Sequence, residues 1–124
     1  MKEYGKAFLG EKLKIINKLM KELIQLAIDS IKSELYNEPI KVSEDLKKKF
    51  SKFGACFVTL TIGGELRGCI GTLEARQELW KDVIENSINA AFYDPRFPPL
   101  SKEEFKKIKI EISVLTEPVK INYY

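Results

Sequence analysis

Residues 55–71 read ACFVTLTIGGELRGCIG, and this stretch decides the fold. Residues 55–62 are rich in β-branched and aromatic side chains, which favour a strand. Gly63-Gly64 is a two-residue hairpin signal, and residues 65–71 are typical of the returning strand. The sequence therefore predicts an antiparallel β-hairpin at the centre of the chain.

A regular register across this hairpin fixes which side chains face each other. With Gly63-Gly64 as the loop, Leu60 lies opposite Arg67 and Val58 lies opposite Cys69. Arg67 and Cys69 are then expected on the same face of the sheet, with Cys56 diagonal to Cys69. A diagonal pair is not the geometry of a relaxed disulfide, so two free thiols are expected.

Helical patterns flank the hairpin on both sides. Apolar residues recur at the spacing of one helical face from Lys12 to Tyr36 and again from Arg76 to Tyr93. Between them, Ser43 is a typical N-cap and opens a short helix over residues 43–50. These segments predict helices that pack on the sheet.

The rest of the chain adds a loop and a strand. Residues 94–100 contain three prolines, which exclude a regular helix or a central strand and predict a rigid loop. A capping box at Ser101 starts a short helical turn, and the alternation over residues 108–114 predicts a half-buried strand. A further strand is expected within residues 119–124. The fold class is therefore α+β, an antiparallel β-sheet with packed helices.

Composition limits the classes of function. With 124 residues, 44% of them hydrophobic, the chain is expected to form a single domain over residues 1–124. The sequence shows neither a signal peptide nor an apolar run long enough to span a bilayer, so we expect a cytoplasmic protein with no membrane contact. The net charge is +3. The lysines at 47–49 and 52 favour a solvated helix face over nucleic-acid binding.

The sequence contains two cysteines and no histidine. This excludes a Cys-His or Ser-His-Asp catalytic pair within the sequence and removes the commonest ligand of transition metals. Two cysteines are also too few for a disulfide framework. We therefore expect no metal site and predict no cofactor.

The segment around Cys69 carries the first candidate site. Gly68 and Gly71 would let a ligand or another backbone approach the strand, or they mark a bulge with Cys69 as a small buried residue. Arg67 would favour the thiolate of Cys69 or bind an anionic group. A charge in an apolar strand also needs a partner, for which Glu74, Asp94 and a ligand anion are the candidates.

Two further features complete the candidate site. Asp94 and Arg96 flank Pro95 in the rigid loop, where they either shape the rim of a binding surface or pair with each other. Glu74, just after the second strand, is a candidate general base for Cys69 or for a water, because no histidine is present.

Four segments together carry a family resemblance: residues 56–60, 66–74, 94–100 and 110–116. In this order they resemble the AMMECR domain family, named after the Alport syndrome, midface hypoplasia and elliptocytosis chromosomal region. The resemblance implies an α+β fold with antiparallel strands packed by helices. It also implies a protein similar to protein A of the AmmeMemoRadiSam system, alongside a Memo-like protein and a radical SAM protein. No reaction is assigned to the family.

Family members continue past the position of Tyr124, so the chain is expected to lack the C-terminal portion of an AMMECR domain. An open strand edge could then pair with another copy. The leading hypothesis is a ligand-binding or partner-binding module with Arg67, Gly68 and Cys69 on its recognition face and Asp94 and Arg96 at the rim. The alternatives are an enzyme with Cys69 as nucleophile and Glu74 as proton acceptor, and nucleic-acid binding through the lysine-rich helix.

Overall fold

The structure, a computed structural model, describes the backbone of residues 2–115 and the side chains of residues 10–115. The described elements are, in chain order, α1 (Lys2–Leu35), α2 (Glu44–Lys49), β1 (Phe53–Ile62), β2 (Glu65–Gly71), β3 (Gln77–Glu78), α3 (Leu79–Phe92), α4 (Lys102–Phe105) and β4 (Lys109–Leu115). The predicted α+β class is confirmed. The strand expected within residues 119–124 lies outside the described residues.

Strand β1 is the centre of an antiparallel sheet. It pairs with β2 along one side over residues 57–62 and with β4 along the other over residues 55–61. The short β3 pairs with its first two residues, Phe53 and Gly54. The predicted hairpin therefore forms, with positive φ at both Gly63 and Gly64 as its two-residue turn requires.

One face of this sheet carries the hydrophobic core. Alternate residues of β1 point to that face and are fully buried: Cys56, Val58 and Leu60. Helices α1 and α3 supply the opposing apolar side chains, including Leu23, Ala27, Ile31, Val83 and Ala90. The intervening residues form the second face, which we call the outer face, and they are partly or fully exposed: Phe57, Thr59, Thr61, Lys109, Glu111 and Ser113.

The predicted register is wrong beyond the turn. Thr61 pairs with Leu66, but Leu60 then pairs with Gly68, so Arg67 is an extra residue on β2. This β-bulge shifts every later pair by one position, because two residues of β2 oppose one of β1. Cys69 therefore lies opposite Thr59 rather than Val58.

The bulge also separates the two cysteines. Cys69 shares the outer face with Thr59, whereas Cys56 is buried on the core face. The expectation that both cysteines occupy one face is wrong, since it assumed a register without a bulge. Both thiols are free, as predicted.

The predicted capping residues of the helices are confirmed, whereas the predicted first residues of two helices are not. The hydroxyl oxygen of Ser43 accepts from the N–H of Leu46, and Ser101 forms the predicted capping box with Glu104. Helix α3 begins at Leu79 rather than Arg76, because residues 77–78 pair with β1. Helix α1 begins at Lys2, ahead of the predicted Lys12.

Candidate functional site

Arg67, the residue at the bulge, forms an ion pair with Glu104. Its Nε donates to Oε2 of Glu104 at 2.8 Å and its Nη2 to Oε1 at 2.9 Å, and Nη2 also donates to the carbonyl of Pro98 at 2.8 Å. Only 8% of the Arg67 side chain is exposed. The direct partner is thus neither Glu74 nor Asp94, because the bulge directs the guanidinium towards α4.

This ion pair changes the acidity of its carboxyl. The hydrogen bonds from Arg67 lower the pKa of Glu104 from 4.5 to about 2. Nη1 of Arg67 is buried and has no hydrogen-bond partner in the described part of the chain. Glu104 was not singled out from the sequence as a partner of Arg67, because the two residues are far apart in the chain and become neighbours only in the fold.

Asp94 and Arg96 together close the outer edge of β2, and we call this arrangement the Asp94–Arg96 clamp. Oδ2 of Asp94 accepts from the backbone N–H of Cys69 at 3.0 Å, and Nη2 of Arg96 donates to the carbonyl of Cys69 at 3.3 Å. Arg96 also binds Asp94 in bidentate fashion, through Nε at 3.0 Å and Nη2 at 2.8 Å. Asp94 and Arg96 therefore pair with each other, which was one of the two roles expected for them from the sequence.

The clamp fixes the protonation state of its carboxylate. The hydrogen bonds from the Arg96 side chain hold the pKa of Asp94 well below its usual range. Although the Asp94 side chain is only 2% exposed, 55% of the Arg96 side chain faces solvent. Asp94 is therefore an anionic anchor inside the protein, and Arg96 is its exposed counterpart.

The Cys69 thiol lies beside this clamp on the outer face. Its Sγ is 3.2 Å from Oγ1 of Thr59, and the residue is partly buried. The clamp also makes Arg96, rather than Arg67, the arginine whose guanidinium bonds to the Cys69 backbone. Thr59 was missed in the sequence analysis, because its position opposite Cys69 depends on the bulge.

The two glycines beside Cys69 make room for parts of the protein itself. A Cβ at Gly68 would overlap the carbonyl oxygen of Ala90 in α3, and a Cβ at Gly71 would overlap the ring of Phe57. Two of the predicted alternatives are present at Gly68, because the backbone of α3 approaches it closely and the β-bulge lies directly beside it.

Glu74 lies in the loop after β2 and is exposed. It lines a shallow cavity with Gly71, Thr72, Leu73 and Arg76. Neither a hydrogen bond nor an ion pair joins Glu74 to Cys69 in the described residues. The structure therefore does not bring the predicted base and the predicted nucleophile into direct contact.

Phe97 connects the two arginines. The guanidinium carbon of Arg67 lies 5.6 Å from the centre of the Phe97 ring, and that of Arg96 lies 5.5 Å from it. Both distances are within the range of a cation–π contact. The ring thus links the buried Arg67–Glu104 pair to the exposed clamp.

A second polar site, which the sequence analysis missed, lies inside the core, and we call it the Asp82 cluster. The carboxylate of Asp82 accepts from the backbone N–H of Cys56 at 2.9 Å and from the Thr72 hydroxyl at 3.0 Å. Asn86 donates to Asp82 at 3.0 Å and to the Cys56 carbonyl at 3.0 Å. Burial raises the pKa of the Cys56 thiol to about 12. The available signal was the pair Asp82 and Asn86, which lie four residues apart on the buried side of α3.

Several of the clustered lysines are engaged within the protein. Lys47 pairs with Glu44 at 3.2 Å, and Lys49 pairs with Glu22 at 2.8 Å. The ammonium of Lys47 lies 5.3 Å from the Trp80 ring centre. Within the described residues, no group of three or more His, Cys, Asp or Glu side chains could hold a metal ion, and no helix has the length and apolar content to cross a membrane.

Comparison with known proteins identifies the family. The AMMECR1 family model matches residues 24–124, most of the chain. The chain belongs to the AMMECR1 family. It is 43% identical over 101 residues to a protein of Aquifex aeolicus, covering 80% of this chain and 52% of that protein. It is 38% identical over 105 residues to a protein of Methanosarcina mazei, covering 85% of this chain and 51% of that protein.

A solved structure shows the same fold. The crystal structure of the uncharacterized protein PH0010 from Pyrococcus horikoshii matches with a TM-score of 0.76 at 32% sequence identity, covering 86% of this chain and 55% of that chain. The chain thus spans about half the length of these AMMECR1 relatives. The names of these relatives state no activity.

Proposed function

We propose that this AMMECR1 chain is a recognition domain whose binding surface is the outer face around Cys69 together with the exposed side of Arg96. The supporting observation is the Asp94–Arg96 clamp, which fixes both backbone groups of Cys69 while 55% of the Arg96 side chain faces solvent. Nη1 of Arg96 forms no hydrogen bond within the described part of the chain. A fixed guanidinium with free N–H donors suits a carbonyl or carboxylate of a partner.

The family supplies the candidate partners for this surface. We propose that the domain acts in the cytoplasm with a Memo-like protein and a radical SAM protein, as its resemblance to protein A of the AmmeMemoRadiSam system implies. Arg67 and Gly68 support the surface from within, since Arg67 holds Glu104 and Gly68 packs on α3. Cys69 and Arg96 are the residues that a partner would touch.

Calorimetric titration of this chain with the Memo-like and radical SAM proteins of its own organism tests the proposal. Thr59→Arg puts a bulky cation on the outer face beside Cys69, and we expect it to weaken binding at least about tenfold, or about 1.4 kcal/mol. Gln25→Arg adds the same group on the exposed side of α1, and this control should bind like the wild type. Failure of both partners to bind the wild type, or unchanged binding by Thr59→Arg, would overturn the proposal.

One observation favours an enzyme as the second candidate: the partly exposed Cys69 thiol lies on a strand whose backbone is bonded to a guanidinium. In that case Cys69 is the nucleophile and Glu74 is the proton acceptor, reached through a water. Alkylation by iodoacetamide across pH tests this alternative. A half-maximal alkylation rate at a pH well below about 8.5, the usual pKa of a free cysteine, would support this alternative, and a half-maximal rate near that pH would contradict it.

A further inference from the structure

Glu111 of β4 and the Asp94–Arg96 clamp lie at opposite ends of one row of the outer face. Thr59 of β1 is the middle of this row, because it lies opposite Cys69 on one side and opposite Glu111 on the other. At the edge of β2, Arg96 bonds to the carbonyl of Cys69. The row therefore begins at a guanidinium, continues over a thiol and a hydroxyl, and ends at a carboxylate.

The backbone sets the distance between these two charges. Opposite residues of an antiparallel pair have Cα atoms about 4.5 to 5.5 Å apart, so those of Cys69 and Glu111 are about 10 Å apart. The guanidinium of Arg96 lies further out, beyond the Cys69 carbonyl. The two charges are thus separated by about 10 to 15 Å, which exceeds the screening length of about 8 Å at physiological salt. Arg96 and Glu111 therefore do not neutralise each other.

Both ends of the row reach solvent. Glu111 is exposed, and 55% of the Arg96 side chain faces solvent. Lys109 is the other charged residue of β4 on the outer face, but it lies opposite Thr61 and thus outside the row. No ion pair joins Lys109 to Glu111 within residues 10–115. The row thus presents a cation at one end and an anion at the other.

We propose that Glu111 is a second anchor of the recognition surface. It binds a lysine or arginine of the partner, while a carboxylate of the same partner segment binds Arg96. This inference rests on the proposed recognition function and names the chemistry of the partner. Because an extended chain advances about 3.3 Å per residue, the two charged side chains of the segment lie about three or four residues apart.

The surface between the two anchors is suited to the middle of such a segment. Thr59 and Cys69 offer small polar groups, and the ring of Phe57 lies in the neighbouring row, where it fills the space of a Cβ at Gly71. The two charges also fix the direction of the segment. A segment with the reverse order of charges would place a cation at Arg96 and an anion at Glu111, and both ends would be repelled.

Calorimetric titration of the whole chain with the Memo-like and radical SAM proteins tests this anchor. Glu111→Lys replaces an attractive pair with a repulsive one, and we expect the dissociation constant to rise at least about tenfold. Glu111→Gln removes only the attraction, and we expect a rise of about threefold. Because salt screens ion pairs, the difference between the wild type and Glu111→Lys should shrink to within about twofold at about 1 M salt.

Glu65→Lys is the matched control, because it makes the same charge change at an exposed position of β2 that lies opposite Ile62 and outside the row. It should bind within about twofold of the wild type. Unchanged binding by Glu111→Lys, an equal loss for Glu65→Lys, or a loss that persists at high salt would overturn the inference.

The same titrations separate this inference from the proposed function. If the wild type binds neither protein, the recognition function fails and the anchor fails with it. If the wild type binds and both Glu111 variants bind equally well, the recognition function stands and the anchor alone is overturned.

Discussion

Two carboxylates perform the same task in different surroundings. Asp82 accepts the backbone N–H of Cys56 at 2.9 Å, and Asp94 accepts that of Cys69 at 3.0 Å. Asp94 also holds a bidentate arginine, Arg96. The other donors to Asp82 are neutral side chains: Thr72, Gln77 and Asn86. Inside the core a full set of neutral donors accommodates the carboxylate, whereas a cation is used where the site meets solvent.

The largest difference between the two regions is expected in the reactivity of their thiols. A pKa of about 12 in place of 9.0 lowers the thiolate fraction of Cys56 about a thousandfold at neutral pH, and its side chain is also buried. Alkylation rates of Cys69→Ala, which keeps only Cys56, and Cys56→Ala, which keeps only Cys69, measure this difference. We expect Cys69 to react at least about a hundredfold faster. Equal rates in the two folded variants would contradict the comparison.

Removal of the core carboxylate should have the next largest effect. Asp82→Ala leaves the N–H of Cys56 and the hydroxyl of Thr72 without their acceptor and removes one of the acceptors of Asn86, and we expect the free energy of unfolding to fall by about 3 kcal/mol. Urea denaturation measures this loss. Asp45→Ala removes a carboxylate whose side chain is 81% exposed, and this control should change stability by no more than about 0.5 kcal/mol. A loss below about 1 kcal/mol for Asp82→Ala would show that the cluster is dispensable.

The clamp should be less costly to break than the Asp82 cluster. Asp94→Ala frees Arg96, which can turn to solvent, but leaves the N–H of Cys69 without its acceptor. We expect a loss of about 2 kcal/mol in the same denaturation experiment. Hydrogen exchange at the Cys69 amide should accelerate in this variant. A loss larger than that of Asp82→Ala would reverse the comparison.

The smallest of these effects is expected from acid, which should reduce the stability contributed by the Arg67–Glu104 ion pair. Some carboxyls have a lower pKa in the folded protein than in the unfolded chain. Such a carboxyl stabilises the fold at any pH above its pKa in the unfolded chain, and this stability is lost as the pH falls towards its pKa in the folded protein. The pKa of Glu104 is lowered from 4.5 to about 2, so its contribution should disappear between these two pH values. We expect a loss of about 1 kcal/mol, because solvent screens a side chain that is 35% exposed.

Denaturation as a function of pH measures this loss. Glu104→Gln is the matched variant, since it keeps the size of the side chain but cannot titrate. Its stability should fall less steeply than that of the wild type over the same pH range. Identical slopes for the two proteins would contradict the assignment to Glu104.

The elements of this fold could be predicted from local patterns, but the pairing of residues could not. Gly63-Gly64 predicted the hairpin because its turn requires positive φ, and Ser101 predicted a helix start from its spacing to Glu104. Gly68 indicated a bulge as one alternative, but the shift that the bulge causes in the register was not predicted, and the contact of Arg67 with Glu104 forms only in the folded chain. One extra residue was enough to move Cys69 to the opposite face from Cys56.

The sequence identified most residues of the candidate site but few of the contacts between them. Cys69, Asp94 and Arg96 do come together, and proximity in the loop of residues 94–100 made the pairing of Asp94 with Arg96 foreseeable. Their bonds to the Cys69 backbone were not, since an edge strand shows no sequence mark for the direction of its N–H groups. Asp82 and Asn86 were not predicted, because the helical periodicity of α3 was judged from its apolar residues and these two polar residues lie among them on the buried side.

Gly68 has a steric consequence. The carbonyl oxygen of Ala90 lies where the Cβ of a larger residue would stand, so β2 and α3 meet here through main-chain atoms. Any side chain at position 68 would have to push the strand that carries Cys69 away from the helix that carries Asp82 and Asn86. The absence of one side chain therefore sets how closely the outer face lies to the polar cluster of the interior.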